Sequence, residues 1–444
     1  MKRLMRICIV LTAIAMVAAP ALAEVQNVKV SGDIEVMGIY RDDFDLVDAD
    51  TVNNDDQQAW YQSIARIQID ADLTDNVSTC VRILNERDWD VDDVADSDMD
   101  LDIANITMKE FFYAPLTLII GRQELRYGNS MVIGNVSQNT ANFTDSITAN
   151  NYSARNAFDA IRGIVELDNV TIDIFTAKID EAVGTTPTAP VGSGTVSDDN
   201  DLYGIDVSTT IGDVPVAGYV VYANDNSDPG AADANEIWTL GVRGAKALTD
   251  ALDANLEVAV QTGKYTAIKD QSAWALDAGL DYTMEADMNP VLGIAYSYRS
   301  GASASAAATD DQEAWVPLYE DQTNGLIADY LFDGINDGVN SNCHIVNVSA
   351  VVEPLEDLTV SIDYYQFVLD EKFSEAETAV GSLSGKSLST DDDLGSEMDI
   401  ALNYAYTEDV NLGLTAAWFM PGDVFEGSND DTATEVVGSI NVGF

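Results

Sequence analysis

The sequence predicts an all-β chain: a single transmembrane antiparallel β-barrel of the outer-membrane type, with about 18 strands. Three observations predict it. Apolar and polar residues alternate with period two in segment after segment, which is the pattern of a strand with one oily and one wet face. The connections between these segments alternate between short turns and long acidic stretches. No stretch beyond the first residues reaches the roughly 18 apolar residues of a helical span. Insertion must therefore be by strands, and a closed barrel is the sheet that satisfies its backbone in lipid.

The chain begins with an address. Lys2, Arg3 and Arg6 form a basic n-region, 7–19 is apolar but too short to span, and Ala21-Leu22-Ala23 offers a small-x-small cleavage site. Residues 1–23 read as a signal peptide and 24–444 as one barrel domain.

The strands follow in order. The first reads at 28–40. In 61–73, Tyr61, Ser63, Ala65, Ile67, Ile69, Ala71 and Leu73 oppose Gln62, Ile64, Arg66, Gln68, Asp70 and Asp72. Thr74-Asp75-Asn76 turns this segment into 77–87. Segments 101–112 and 116–126 meet at Tyr113-Ala114-Pro115, and 157–167 and 170–177 at Asp168-Asn169. Gly212-Asp213 joins 201–211 to 214–224, and Thr249-Asp250 lies between 236–247 and 251–264. Segments 272–284, 291–299, 342–353 and 358–369 come next. In 395–406, Met398, Ile400, Leu402, Tyr404 and Tyr406 oppose Asp399, Ala401, Asn403 and Ala405; Glu408-Asp409 leads on to 410–420. The last segment, 433–444, places Val436, Gly438, Ile440, Val442 and Phe444 on one face and Val437, Ser439, Asn441 and Gly443 on the other. A strand ending in an aromatic carboxy-terminal residue is the kind of segment through which barrel-assembly machinery is expected to engage the chain.

The long connections, 41–60, 88–100, 127–156, 178–200, 300–341 and 370–394, all fall at one end of the cylinder. Short periplasmic turns and long outer loops are the outer-membrane arrangement. Tyr40, Trp60, Tyr222, Trp238, Trp274, Tyr296, Tyr298 and Trp418 near the outer strand ends read as an interfacial girdle, with ordinary strand propensity as the plainer account.

Charge narrows the partners. There are 21 basic and 76 acidic residues, a formal −55, and loss of the leader removes three of the basic ones. Such a surface excludes nucleic acid. Asp88, Asp90, Asp92, Asp93, Asp96, Asp98 and Asp100 cluster in one loop, and Asp42, Asp43, Asp45, Asp48 and Asp50 in another. Carboxylates suit loosely held calcium, but an EF-hand starting at Asp88 needs Gly where Asp93 stands and Glu where Met99 stands. The plainer account is a solvated, self-repelling surface, so no cofactor is expected beyond such calcium. Cys80 and Cys343, the cysteines beyond the leader, read as incidental.

The basic residues on strands carry the functional reading. Arg66, Arg82, Arg122, Arg126, Arg162, Arg243 and Arg299 are read onto the face opposite the oily stripe, because an arginine facing lipid at the midplane costs about 2–4 kcal/mol. Inward carboxylates, Glu124 among them, offer cross-strand pairing as the alternative to solute contact. His344 is the sole histidine and shares a face with Val346 and Val348. A Ser-His hydrolase would have to use it from the lipid side, and zinc would need more Cys and His ligands. No enzyme is expected.

The run Gly121-Arg122-Gln123-Glu124-Leu125-Arg126-Tyr127-Gly128 resembles the bacterial alginate export porin family, which carries Gly-Arg-Gln-Glu-Leu-x-Tyr-Gly. Arg155-Asn156-Ala157-Phe158-Asp159-Ala160-Ile161-Arg162 is similar to the family's Arg-x-x-Phe-Asp-Gly-x-Arg, with Ala160 in place of Gly. Gly395-Ser396-Glu397-Met398-Asp399 and Phe419-Met420-Pro421-Gly422 resemble its Gly-x-Glu-x-Asp and Phe-x-x-Gly elements. The resemblance implies an eighteen-stranded barrel in the Gram-negative outer membrane whose lumen arginines pass an anionic polysaccharide. By motif it carries over Arg122 and Arg162, with Glu124 and Asp159 as their partners. The expected pore-lining set is thus Arg66, Arg82, Arg122, Glu124, Arg126, Asp159, Arg162, Arg243 and Arg299. The expectation is a passive channel, bathed in outer-membrane lipid, for small or anionic solutes such as a saccharide. The alternatives are a general cation-preferring porin and a plugged surface scaffold, with 127–156 and 300–341 folded inward.

Overall fold

The computed structural model describes residues 27–47, 57–89, 99–135, 150–181, 199–225, 235–266, 268–303, 311–336, 338–373, 387–427 and 429–444. The expected signal peptide lies outside the described residues, as do the acidic runs at 48–56 and 90–98. Eighteen strands form one antiparallel sheet. They are β1 Asn27–Asp42, β2 Gln58–Thr74, β3 Val77–Asp88, β4 Asp100–Met108, β5 Leu116–Glu124, β6 Ala157–Leu167, β7 Val170–Glu181, β8 Asp199–Ile211 and β9 Val214–Asp225. β10 Asn235–Thr249, β11 Leu252–Lys264, β12 Asp270–Thr283, β13 Val291–Arg299, β14 Cys343–Leu355, β15 Leu358–Leu369, β16 Asp393–Thr407, β17 Val410–Pro421 and β18 Ala433–Gly443 complete it. Each strand pairs with its sequence neighbours, and β1 pairs with β18 to close the cylinder. Beyond β18, Phe444 exchanges two backbone hydrogen bonds of 2.9 Å with Gly32.

Period two sorts the wall as expected. Ile34, Ile67, Ile106, Ile120, Ile161, Ile174, Leu240, Ile294, Val348, Ile362, Leu414 and Ile440 are exposed, forming the outward oily band. Tyr203, Tyr222 and Trp238 stack at the outer end of that band, at 6.1 and 4.4 Å. Trp60 departs from the expected girdle. It stands opposite Ile39, whose side chain is buried, and packs inside beneath the Arg41 guanidinium at 5.6 Å. The stretch 101–112 is not all strand. β4 stops at Met108, and Glu110, Phe112 and Tyr113 adopt positive φ of 51°, 56° and 59°. Pro115 brings no N–H to the ladder and confines Ala114 to extended geometry, so the reversal has to be made before it. Cys80 and Cys343 are free thiols on β3 and β14.

An eighteen-stranded cylinder is too wide for its own wall side chains to fill. The buried core therefore lies inside it, built by loops. Leu125, Met131 and Ile133 from the β5–β6 connection cluster with Trp315 and Tyr319 from the β13–β14 connection, against Phe158, Phe175 and Tyr219 of the wall. Ile327 and Phe332 belong to a second cluster with Phe367 and Phe419. The connection holding Ile327 includes the one α-helix among the described residues, α1 Leu326–Leu331.

Candidate functional site

The loop after β5 enters the bore through a bend that its residues impose. Gly121 holds φ at 121°, and a Cβ there would strike the Ala104 carbonyl. The Gln123 side-chain amide then donates to the carbonyls of Gly121 and Ala160, both at 3.1 Å. Leu125 is fully buried, and Tyr127 stacks on Phe175 at 5.3 Å with the Arg162 guanidinium 5.6 Å over its ring. Gly128, at φ 61°, presses down where a Cβ would lie 2.7 Å from both Arg243 Cδ and Glu257 Oε2. Asn129 donates to Asp277 Oδ2 at 2.7 Å.

The loop after β13 meets it edge to edge. Tyr319 N–H donates to Val132 O at 3.1 Å, Gly134 N–H to Tyr319 O at 2.7 Å and Asp321 N–H to Ser130 O at 3.0 Å. Wall glutamines hold the backbone of this second loop. Gln261 donates to Val316 O at 2.8 Å and accepts from Val316 N–H at 2.9 Å, while Gln271 donates to Ala314 O at 2.9 Å. The first turn of α1 hangs on β16. Ile327 and Ala328 N–H donate to Glu397, each at 2.8 Å, and Leu326 N–H to Asp399 at 3.2 Å. The Gly-x-Glu-x-Asp element is thereby a loop anchor. Deeper in this loop Asn340 donates to both Glu320 Oε1, 3.3 Å, and Asp329 Oδ1, 3.0 Å. Burial pushes the Asp329 carboxyl up to about 7 and holds Glu320 well above the usual carboxylate range, with Arg299 pulling Glu320 back only in part.

The expected pore-lining arginines all carry carboxylate partners. Arg66 bonds Asp33 at 2.9 Å, Arg162 bonds Asp173 at 2.9 Å, Arg243 bonds Asp206 at 2.6 Å and Arg299 bonds Asp277 at 2.7 Å. Arg82 bridges Asp102 and Glu124, so Glu124 serves Arg82 and not Arg122. Arg126 lies beyond the end of β5, on the entering loop, and pairs with Asp321 of the second loop. Arg122 and Asp159 pair with each other at 3.4 Å, but they do not face the bore. Arg122 stands opposite Asp159 in register, two positions from the Ile120–Ile161 pair whose side chains are both exposed. The alternation therefore places this ion pair on the outward row, at the outer end of β5 and β6. The expected inward position of Arg122 and Asp159 is corrected accordingly.

Two further arginines belong to the interior set. Arg41 is buried on Glu435, which also accepts from Tyr152, and Arg155 reaches Glu86 at 3.3 Å and Asp100. Arg41 was legible: it continues the row of Asp33 and Glu35 one position beyond the expected end of the first strand. Against these paired cations, Glu35, Asp70, Asp281 and Asp363 stand on inward rows and form no ion pair among the described residues. The described residues contain no cluster of three or more His, Cys, Asp or Glu placed to hold a metal. His344 lies in the outward row of Val346 and Val348. It bonds Tyr296 at 2.7 Å and approaches Asp370 at 3.3 Å, an interfacial cluster at the outer end.

No curated relative matches the sequence. Among solved structures, OpdQ of Pseudomonas aeruginosa is 11% identical with a TM-score of 0.55, covering 95% of this chain and 99% of its own. OccK5 (OpdH) of the same organism is 13% identical with a TM-score of 0.55, at 95% and 99% coverage. OccD3 (OpdP) is 11% identical with a TM-score of 0.52, at 94% and 91%. At such identity the likeness concerns the fold. The family model for alginate export matches residues 26–439, nearly the whole barrel. The chain belongs to the alginate export family, and its barrel is that of a Gram-negative outer-membrane channel.

Proposed function

We propose that this channel passes small solutes by diffusion through a constriction framed by the two inward loops, and that it prefers cations. One observation carries the preference: the bore arginines are each neutralised by a carboxylate, while Glu35, Asp70, Asp281 and Asp363 are left over. Fixed excess charge along an aqueous bore raises the local concentration of counter-ions. The acidic outer loops add to this by gathering mono- and divalent cations, calcium included, at the mouth. No bond is made or broken in this reading, and no cofactor takes part. β18 and its terminal Phe444 are the segment the assembly machinery would engage.

A second reading, passage of an anionic saccharide, draws on family membership and on Arg126, whose side chain is 56% exposed at the constriction. Reversal potentials across a planar bilayer in a potassium chloride gradient decide between them. A cation-selective potential is expected. An anion-selective one overturns the proposal in favour of the second reading.

A further inference from the structure

Inward side chains of β7 and β9 shrink below the constriction, from Phe175 to Thr171 and from Tyr219 to Ala217 and Pro215. Phe175 and Tyr219 stand at the level of the entering loop. Nearer the short-turn end the inward rows run Thr171, Ser208, Ala217, Arg243 and Glu257, then Thr210, Pro215, Ala245, Asn255 and Gly279. Small residues beneath large ones leave a recess of about 540 Å³, roofed by Gly128 and Asn129. That volume falls within the roughly 300–1,000 Å³ of small-molecule sites.

The chemistry of the lining selects among solutes. Arg243 is bonded to Asp206 at 2.6 Å, and Glu257 accepts from Tyr219 Oη at 2.8 Å. The two charges that touch the recess are opposite and already engaged. Thr171, Ser208, Thr210 and Asn255 each offer both a donor and an acceptor. An ion would need uncompensated charge here, whereas a polyol presents hydroxyls that give and take hydrogen bonds. We propose that this recess is a binding subsite for a neutral, hydroxyl-rich solute of small-saccharide size, held on the short-turn side of the constriction before or after passage. The subsite does not depend on which ions the channel prefers.

Planar-bilayer recording on the refolded full-length barrel tests it, with the neutral trisaccharide raffinose as probe. Saturable interruptions of the ionic current are expected, stronger when raffinose is added at the short-turn side. Ser208→Phe, which fills the recess, is expected to weaken the block at least roughly tenfold in channels that still conduct. Thr171→Val and Asn255→Ala, which remove polar groups while keeping the space, are expected to weaken it by smaller factors and serve if Ser208→Phe does not fold. A conductance that only falls in proportion to raffinose, without saturation, overturns the proposal. So does block that survives all three variants, or gluconate blocking more tightly than raffinose. Reversal potentials measured on the same channels report the ion preference separately.

Discussion

Arg126, on the loop entering from β5, forms an ion pair with Asp321, on the loop entering from β13, 195 residues away in sequence. The constriction is thus closed by two segments that meet each other as well as the wall. Asp321→Asn removes the pair and leaves the backbone exchange around Tyr319 in place. Because Arg126 is more than half exposed, the loss to global stability is at most about 1 kcal/mol. The expected signature is an increase in open-channel current noise with an unchanged melting temperature, read by single-channel recording and differential scanning calorimetry. A quiet, unchanged current would deny the pair any part in holding the constriction.

Arg122→Ala distinguishes an outward arginine from an inward one. Its pair with Asp159 lies on the row of Ile120 and Ile161, so removing it is expected to leave ion selectivity where it was. Reversal potentials of the variant and the parent should coincide. A shift toward cations would return Arg122 to the bore.

The seat of the β13–β14 loop should respond to pH. Asp329 is raised to about 7 and Glu320 well above its usual range. Asp321 and Asp333 oppose ionisation of Asp329, and Arg299 partly offsets the effect at Glu320. The seated loop therefore binds more protons than the released one. This contribution is complete below the ordinary carboxylate values near 4 and is lost as pH rises through about 7. Proteolytic nicking of 311–336 is expected to increase as pH rises from about 4 through about 7, and Asp329→Asn to flatten that rise. An increase on the acid side would reverse the sign and refute it.

Phe158 is fully buried and meets Tyr319 edge-on at 5.9 Å, joining β6 to the second loop. Phe158→Ala is expected to cost about 3–5 kcal/mol of loop docking. Gly128→Ala should unseat the first loop by roughly 1–2 kcal/mol from its left-handed φ alone. Both should raise conductance and shorten closed times in bilayer recordings. Conductance unchanged from the parent in both variants would show that the loops do not set the passage.

The wall was legible because a half-lipid, half-water strand has no freedom in its alternation, and β6, β13 and β15 run over the expected residues. The interior was less so. A long polar connection reads alike whether it spreads into solvent or turns inward, and the sequence left the inward fold of 127–156 and 300–341 as an alternative. The signal that could have raised it was the apolar density of Trp315, Val316, Leu318, Ile327, Leu331 and Phe332, out of place on an outer loop. Arg122 was read inward on the cost of an arginine in lipid, although Leu116, Leu118 and Ile120 share its parity. Counting by twos from the oily residues puts it on their side, near enough to the headgroups for a charge to be tolerated.

β1 meets β18 in an unbroken run from Asp33–Gly443 to Asp42–Thr434. The opening strand therefore waits for the final one, and during synthesis and export both margins of the growing sheet present unsatisfied amides and carbonyls. Once the two margins meet, no strand edge is left for another chain to pair with, and Phe444 on Gly32 carries the seam past the end of β18.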